Sequence, residues 1–568
     1  MRLALDRRLF YLRAPGKGGS KVNGRRSPEL RLRRGVDGPE LDRAPVTHPA
    51  TTEDAAEVRP RRRLLITLPR PGWRHLPYAI LAFAVVVGGL LRTYRINAVG
   101  FNTDEAVYAG QAASIANDTD LIPYFPIFRA HPLLFQSMLS VPYQLGTSDV
   151  IGRLFVAAIG VATIVMLYKV GSLLYGPLAG AIAALIIALM PYHVVVSRQV
   201  LLDGPETFWA TVTLFTLAKF AATRRLAWLY GTGAALGLTV LSKETAILFV
   251  AAVYAFLALT PEIAVKIRHA VIALGVMTLV ILPFPLSVMI AGSSETGGNF
   301  LAWQLFRRPN HEWTFYPTVV PGAMGYLVVI AAIAGLWFLR GRRSWRETLL
   351  LCWIAVPVIF FQLWPVKGFQ YLLPVAPAVA LLAARPLAAV VSSQWELRVA
   401  ARRFAAPTIG LGLVALVALS LLVPSAQRVQ PSQSDTFLAG SGGVPGGREA
   451  GRWIGANIPE GSQLMTVGPS MANILQFYGH RRAFGLSVSP NPLHRNPVYT
   501  PLVNPDLSIR YNDLQYVVWD AFSADRSPFF ERRLMRYVER YHGRAIHTQT
   551  VNSGGTLKPV IRIYEVRP

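Results

Sequence analysis

Long apolar runs separated by short polar connectors dominate the chain between residues 76 and 424. They fall near 76–93, 131–146, 151–171, 178–196, 207–222, 226–241, 246–260, 270–291, 319–339, 348–364, 371–391 and 405–424. A helix of about 20 residues crosses the ~30 Å hydrocarbon core of a bilayer, so this pattern predicts a polytopic helix bundle. One run does not fit. "HPLLFQSMLSVPYQLG" contains Gln136 and Pro142 and as a helix would span only roughly 21–24 Å. Counting it as a span would turn Arg224, Arg225, Lys266, Arg268, Arg340, Arg342, Arg343 and Arg346 outward, against the tendency of Lys and Arg to stay on the cytoplasmic side. It is therefore expected to lie along the outer interface as a juxtamembrane helix. That leaves about eleven spans, with everything after residue 425 on the outside.

Beyond that point the pattern changes. "GREAGRWIGANIPEG" has helical apolar spacing, "QLMTVG", "LQYVVWD" and "VIRIYEV" are strand-like, and "SPFFERRLMRYVERYHG" reads as an amphipathic helix ending in glycine. "GSGGVPGG" marks a linker in front of them. The expected organisation is a basic cytoplasmic tail at 1–74, a membrane domain at 75–425 whose first external loop is 94–150, a linker at 426–447, and an extracytoplasmic α/β domain at 448–568.

Composition supports the membrane reading: 52% of residues are hydrophobic and only 15% are charged, where soluble domains carry about a quarter charged. The net charge of +26 resembles a nucleic-acid signature until it is mapped. Much of it sits in the N-terminal stretches "LDRRLFYLR", "NGRRSPELRLRRG" and "RPRRRLL". No aromatic interleaving or nucleic-acid motif accompanies them, and no apolar core makes them a signal peptide. A disordered tail drawn to anionic lipid is expected, with the bilayer and not nucleic acid as partner. The single cysteine, Cys352, lies in an apolar run and reads as a core residue.

With the short run outside, the polar residues that interrupt the pattern gather on one side. Asp104, Glu105, Arg129, His131, Arg198, Asp203, Lys243, His311, Lys367 and Gln370 all fall on the outer face, with Tyr371 beside the last. Ionisable groups at membrane depth are costly and face polar cavities. Bland readings exist for each. Asn102-Thr103-Asp104-Glu105 fits an N-cap and a capping-box glutamate; Lys243 could pair with Glu244, and Arg198 with Asp203; Lys367 could be an interfacial anchor, and His311 an ordinary loop residue. Capping needs only one of the two acids, however. A carboxylate near several cations suits transfer from a phosphate-linked donor to a hydroxyl, with the acid taking the acceptor proton and the cations holding the departing phosphate. No phosphate-binding glycine loop for a nucleotide is present.

At these residues the chain resembles a known family. "DEAVYA" after the first span, "HPLLF" opening the short helix, "SRQVLLD", "LSKE" and "QYLLPVAPAVALLAA" are similar to the GT-C superfamily glycosyltransferases, specifically the protein O-mannosyltransferase and ArnT-like group. The resemblance covers roughly residues 76–391. It implies a GT-C type membrane bundle and a mannosyltransferase-like enzyme that moves a sugar from a polyprenyl-phosphate carrier to a hydroxyl acceptor, usually with inversion. It implies Asp104 as the catalytic carboxylate and Glu105 as its support or an acceptor contact. Lys243 and Arg198, with Arg129 and His131, would serve the donor phosphate; Asp203, His311, Lys367, Gln370 and Tyr371 would line the cavity. Leu133 stands where the family pattern has a second proline. The lipid-linked sugar is substrate, not cofactor; a divalent ion serves some relatives, and none is assigned here. The alternatives are a lipid-linked glycan flippase, which should have polar groups in both halves and paired broken helices, and a membrane anchor for an external binding module, which leaves the intramembrane charges unexplained.

Overall fold

The computed structural model describes residues 74–127, 131–292, 299–300, 303–304, 307, 309–337, 344–399, 402–430, 444–491, 494–496, 499–553 and 555–568. The expected basic tail, Arg129, Arg340, Arg342, Arg343 and the glycines at 440–443 lie outside these residues.

The apolar runs become helices. They are α1 (Leu76–Thr93), α2 (Thr103–Ile115), α3 (Leu134–Tyr143), α4 (Asp149–Tyr175), α5 (Pro177–Leu189), α6 (Pro191–Val196), α7 (Asp203–Thr223), α8 (Leu226–Ser242), α9 (Leu248–Leu259, after a 3-10 turn at Glu244–Ile247), α10 (Ile267–Ile281) and α11 (Pro283–Ile290). Then come α12 (Phe315–Met324), α13 (Tyr326–Leu336), α14 (Trp345–Leu363), α15 (Ala376–Val391, after a 3-10 segment at Phe369–Val375) and α16 (Ala406–Arg428). Among the described residues six helical stretches are long and apolar enough to cross a membrane, or seven if α12 and α13, bent by 95° at Gly325, count as one. α5, α8 and the Glu244–Leu259 stretch are shorter apolar helices. The protein is an integral membrane protein, mainly α-helical.

The short run at 131–146 forms α3, which has only 10 residues, about 15 Å at 1.5 Å per residue. It cannot cross. Phe135, Gln136 and Leu139 are fully buried, and Gln136 donates to the Gln111 side chain of α2 at 3.0 Å.

Small residues let the bundle close. α4 and α5 meet where a side chain on Gly171 would lie 2.6 Å from the Gly180 backbone. Such close approach is how membrane helices gain packing without a hydrophobic driving force between them. α5 is buried from Ala179 to Leu189, which places it at the centre. Its end, at the break before Pro191, is held by Arg92 of α1. That guanidinium donates to the Gly88 and Ala188 carbonyls at 2.7 and 3.0 Å and meets His193 Nδ1 at 2.6 Å. A hairpin of β1 (Glu396–Val399) and β2 (Arg402–Ala405) precedes α16, in a charged stretch where the sequence pattern predicted no strand.

The C-terminal region contains α17 (Gly447–Asn457), β3 (Gln463–Thr466), α18 (Pro469–Gly479), β4 (Arg482–Gly485), α19 (Pro505–Arg510), β5 (Tyr516–Asp520), α20 (Ala521–Arg526), α21 (Pro528–Arg540), β6 (Arg544–Ser553) and β7 (Thr556–Glu565). The sheet order is β4-β3-β5-β7-β6. β3, β4 and β5 run parallel, and β7 pairs antiparallel with both β5 and β6. α18 packs across α2, so Phe477 shares a buried cluster with Phe101, Ala106 and Phe125. Polar contacts lock the joint. Tyr478 accepts from the Phe101 amide and donates to Asp149, both at 2.7 Å, and Arg448 reaches the same carboxylate at 3.1 Å.

Candidate functional site

α2 begins with a full capping box. The Asn102 side chain accepts from the Glu105 amide and Glu105 Oε2 accepts from the Asn102 amide, each at 3.0 Å. Glu105 is completely buried. The Arg153 guanidinium grips it at 2.9 and 2.8 Å, and the Val200 amide donates to it at 3.0 Å. Arg153 also donates to the carbonyls of Ile96, Val99 and Gly100. Glu105 thus fastens the "SRQVLLD" loop and the end of the first span to the start of α2, and a wholly buried carboxylate has no surface left for an acceptor contact. Asp104, its neighbour, points elsewhere and is partly exposed.

A second charged group forms where α7 starts and α8 ends. Lys243 has extended backbone, φ −162°, between α8 and the following 3-10 turn. That break turns adjacent side chains apart. Lys243 Nζ donates to Asp203 at 2.6 Å and lies 3.9 Å from Glu206, with the Tyr371 ring 4.4 Å away. Glu244 turns the other way and meets His131 Nδ1 at 2.9 Å. Neither local pair read from the sequence, Lys243 with Glu244 or Arg198 with Asp203, is the one formed.

Asp104 belongs to this second group. Tyr108, one turn along α2, is within electrostatic reach of Asp104, Asp203, Glu244 and Tyr371 together. Tyr371 in turn feels Lys243, Arg307, Asp203 and Asp104. Burial alone would depress the His131 imidazole; the Glu244 carboxylate, by charge and hydrogen bond, outweighs this and holds it above the ordinary histidine value. His131 packs edge-on against Phe300 and Tyr108, with ring centroids at 5.1 and 6.0 Å.

Other expected residues are placed differently. Arg198 donates to the Leu91 and Tyr94 carbonyls at 2.6 and 2.8 Å, finishing α1 rather than joining Lys243. Lys367 donates to Gln362 and Trp364 carbonyls at 3.1 and 2.9 Å, finishing α14. His311 is exposed and stacked on Phe315 at 4.1 Å; burial, then Arg526 and Lys367, pull it below the ordinary value. Gln370 Oε1 is buried without a hydrogen-bond partner among the described residues. Arg129 is outside the described residues. Among the described residues no three His, Cys, Asp or Glu side chains converge as a metal cluster.

Sequence reasoning missed Tyr108, Glu206, Arg153 and Arg307. Tyr108 and Glu206 had a signal in retrospect. Each stands three or four residues beyond a chosen aspartate, on the same helix face. Arg307 had none. It donates to Gln304 at 3.2 Å, lies over the Trp303 ring and forms no ion pair with a carboxylate among the described residues.

This architecture is shared with solved proteins. The chain superposes on the ArnT of Cupriavidus metallidurans, solved apo and bound to undecaprenyl phosphate. For the apo form the TM-score is 0.62, with 16% identity, over 87% of this chain and 98% of that one. The fold is that of the GT-C membrane glycosyltransferases. The oligosaccharyltransferase AglB of Archaeoglobus fulgidus, in complex with an inhibitory peptide and a dolichol-phosphate, matches with a TM-score of 0.54 and 15% identity, over 86% of this chain and 75% of that one. In sequence, residues 130–289 match the dolichyl-phosphate-mannose-protein mannosyltransferase family. An undecaprenyl phosphate-alpha-4-amino-4-deoxy-L-arabinose arabinosyl transferase of Sodalis glossinidius is 31% identical over 179 residues, 28% of this chain and 31% of that relative. The chain therefore aligns with about a third of that relative's length. The family match covers α3 to α11, including Asp203, Lys243 and Glu244, while the structural match to ArnT covers 87% of this chain.

Proposed function

We propose that the protein is a GT-C glycosyltransferase that moves a sugar from a polyprenyl-phosphate carrier to a hydroxyl acceptor on the extracytoplasmic face. One observation carries the reading. Asp104, a partly exposed carboxylate on a rigidly capped helix, lies within electrostatic reach of His131 and Tyr371, both of which also feel Lys243, and these groups stand at the ends of apolar helices, beside the bilayer that would anchor a lipid phosphate. In the proposed reaction Asp104 accepts the proton as the acceptor oxygen attacks the anomeric carbon. The bond to phosphate breaks from the opposite face, giving inversion, and the leaving phosphate takes up the bonding pair. Lys243, one of its three donors already fixed by Asp203, stabilises that charge, with His131 and with Arg307 from the loop before α12. Glu105 is a positioning residue. The mannosyl group is one candidate for the transferred sugar, given the family matched at residues 130–289.

The orientation follows from the same reading. About eleven spans put the N-terminus in the cytoplasm and the sheet domain outside, and a reporter fused after Gln430 should read extracytoplasmic. For the chemistry, Asp104→Asn in purified, reconstituted protein should keep the fold but lose at least about a thousandfold in sugar transfer from a polyprenyl-phosphate donor, because an amide takes no proton. Wild-type turnover in that variant would remove Asp104 as the base.

A further inference from the structure

The far end of the bundle has no part in the proposed chemistry. α7 and α8 have 21 and 17 residues and so run roughly 26–31 Å at 1.5 Å per residue. That length carries the chain from Asp203 and Lys243 to the opposite membrane surface. There the α7–α8 turn holds Arg224 and Arg225, and the entry to α10 holds Lys266 and Arg268, all four exposed. Glu262 is the one acid between Leu259 and Arg268. Among the described residues none of the four cations forms an ion pair. Packing joins the two segments. A side chain on Gly233 would lie 2.1 Å from the Ala273 carbonyl oxygen, so α8 and α10 touch backbone to backbone, and Ile263 is buried beneath the connector.

A polar bridge across this contact orients one more donor. Arg268 Nε donates to His269 Nε2 at 3.2 Å, and His269 Nδ1 meets the Tyr230 hydroxyl at 2.9 Å. With Nε2 accepting, the ring proton sits on Nδ1 and is donated to the Tyr230 oxygen. The hydroxyl's own proton is then left for an oxygen acceptor from outside the chain. Beside these groups the same helix turns apolar. Ile267, Val271 and Leu274, along one face of α10, are 83, 60 and 47% exposed. The α10–α11 stretch, at 6%, is the least buried of the six crossing stretches among the described residues. An apolar track thus runs up to a cluster of cations and a hydroxyl donor. A membrane-anchored anion matches both parts, its chains on the track and its phosphodiester at the guanidinium groups; a free anion or a nucleic acid uses only the second. We propose that this end of the bundle is a docking site for an anionic phospholipid, in the leaflet opposite Asp104. Its phosphodiester oxygens meet Arg225, Lys266, Arg268 and Tyr230, and its chains lie along α10. The inference is independent of the glycosyltransferase reading.

Native mass spectrometry reads this directly. The full chain in a neutral detergent would be mixed with equal amounts of phosphatidylglycerol and phosphatidylcholine of matched acyl chains, and the lipid retained on the protein counted. Phosphatidylglycerol should be retained about tenfold over phosphatidylcholine. Arg225→Gln with Lys266→Gln and Arg268→Gln should bring the two lipids to parity. Charge beside a span also sets its orientation, so a second variant keeps every charge. Tyr230→Phe should lower phosphatidylglycerol retention about threefold and leave phosphatidylcholine unmoved. Asp104→Asn should retain lipid like the wild type. Equal retention of the two lipids by the wild type, a preference unmoved by both variants, or displacement of phosphatidylglycerol by millimolar inorganic phosphate would overturn the proposal. If the triple variant does not insert, an unchanged preference in Tyr230→Phe overturns it alone.

Discussion

Two buried ion-pair centres flank the start of α2, and they are built on opposite plans. In the Glu105–Arg153 centre the acid and all three guanidinium nitrogens have partners: Glu105 takes the Asn102 and Val200 amides, and Arg153 takes three carbonyls. In the Lys243 centre one acid is held at 2.6 Å, but Glu206 Oε2 is buried with no hydrogen-bond partner among the described residues, and an aromatic face replaces a second strong acceptor. A closed network fixes geometry; an open one keeps donors and acceptors for a substrate. The chain thus separates the group that holds the helix from the group to which the chemistry is assigned in our proposal, although Asp104 and Glu105 are adjacent in sequence.

The largest effect should come from opening the closed centre. Arg153→Ala leaves Glu105 buried and unpaired, a loss of about 3–5 kcal/mol, and should show as failure to accumulate folded protein in detergent. The uncharged double variant Glu105→Gln with Arg153→Met should recover most of that stability. The parallel double variant Asp203→Asn with Lys243→Met should also fold, but with transfer at least about a hundredfold below wild type. Equal recovery of activity in both pairs would erase the distinction drawn here.

A smaller effect is expected from pH. Glu244 raises the His131 value, so the pair contributes fully below pH ~6.5, the unfolded histidine value, and is lost as pH rises through the higher folded value. Donor KM should climb a few-fold on that alkaline limb, and His131→Gln should flatten it. The smallest effect concerns stability of the sheet domain. Burial lifts the Asp520 carboxyl from 3.8 to about 6, against the hydrogen bonds from Ser523. A raised carboxyl stabilises the fold below pH ~4, and that contribution disappears as pH rises through about 6. Asp520→Asn, which can still cap α20, should therefore gain on the order of 2 kcal/mol at pH 7.5 and almost nothing at pH 4, read from thermal unfolding of the full chain.

What could be read along the chain was periodic or local. Apolar runs located the helices, a proline and a glutamine in a short run marked α3 as unable to cross, and Asn102 to Glu105 spelled out its own capping box. The strands around "QLMTVG", "LQYVVWD" and "VIRIYEV" became β3, β5 and β7. The β1–β2 hairpin escaped because its pairing, Leu397 opposite Phe404, leaves no buried face to impose alternation.

The sequence by itself determined where helices form and that an acidic pair would open α2, because backbone propensity and hydrophobic period act over a few residues. Only the tertiary structure decided which acid is buried, that Lys243 reaches back 40 residues to Asp203, that Arg198 and Lys367 end helices, and that Arg307 comes near Tyr371. An ion pair's strength depends on distance and local dielectric, and neither is a property of position along a chain.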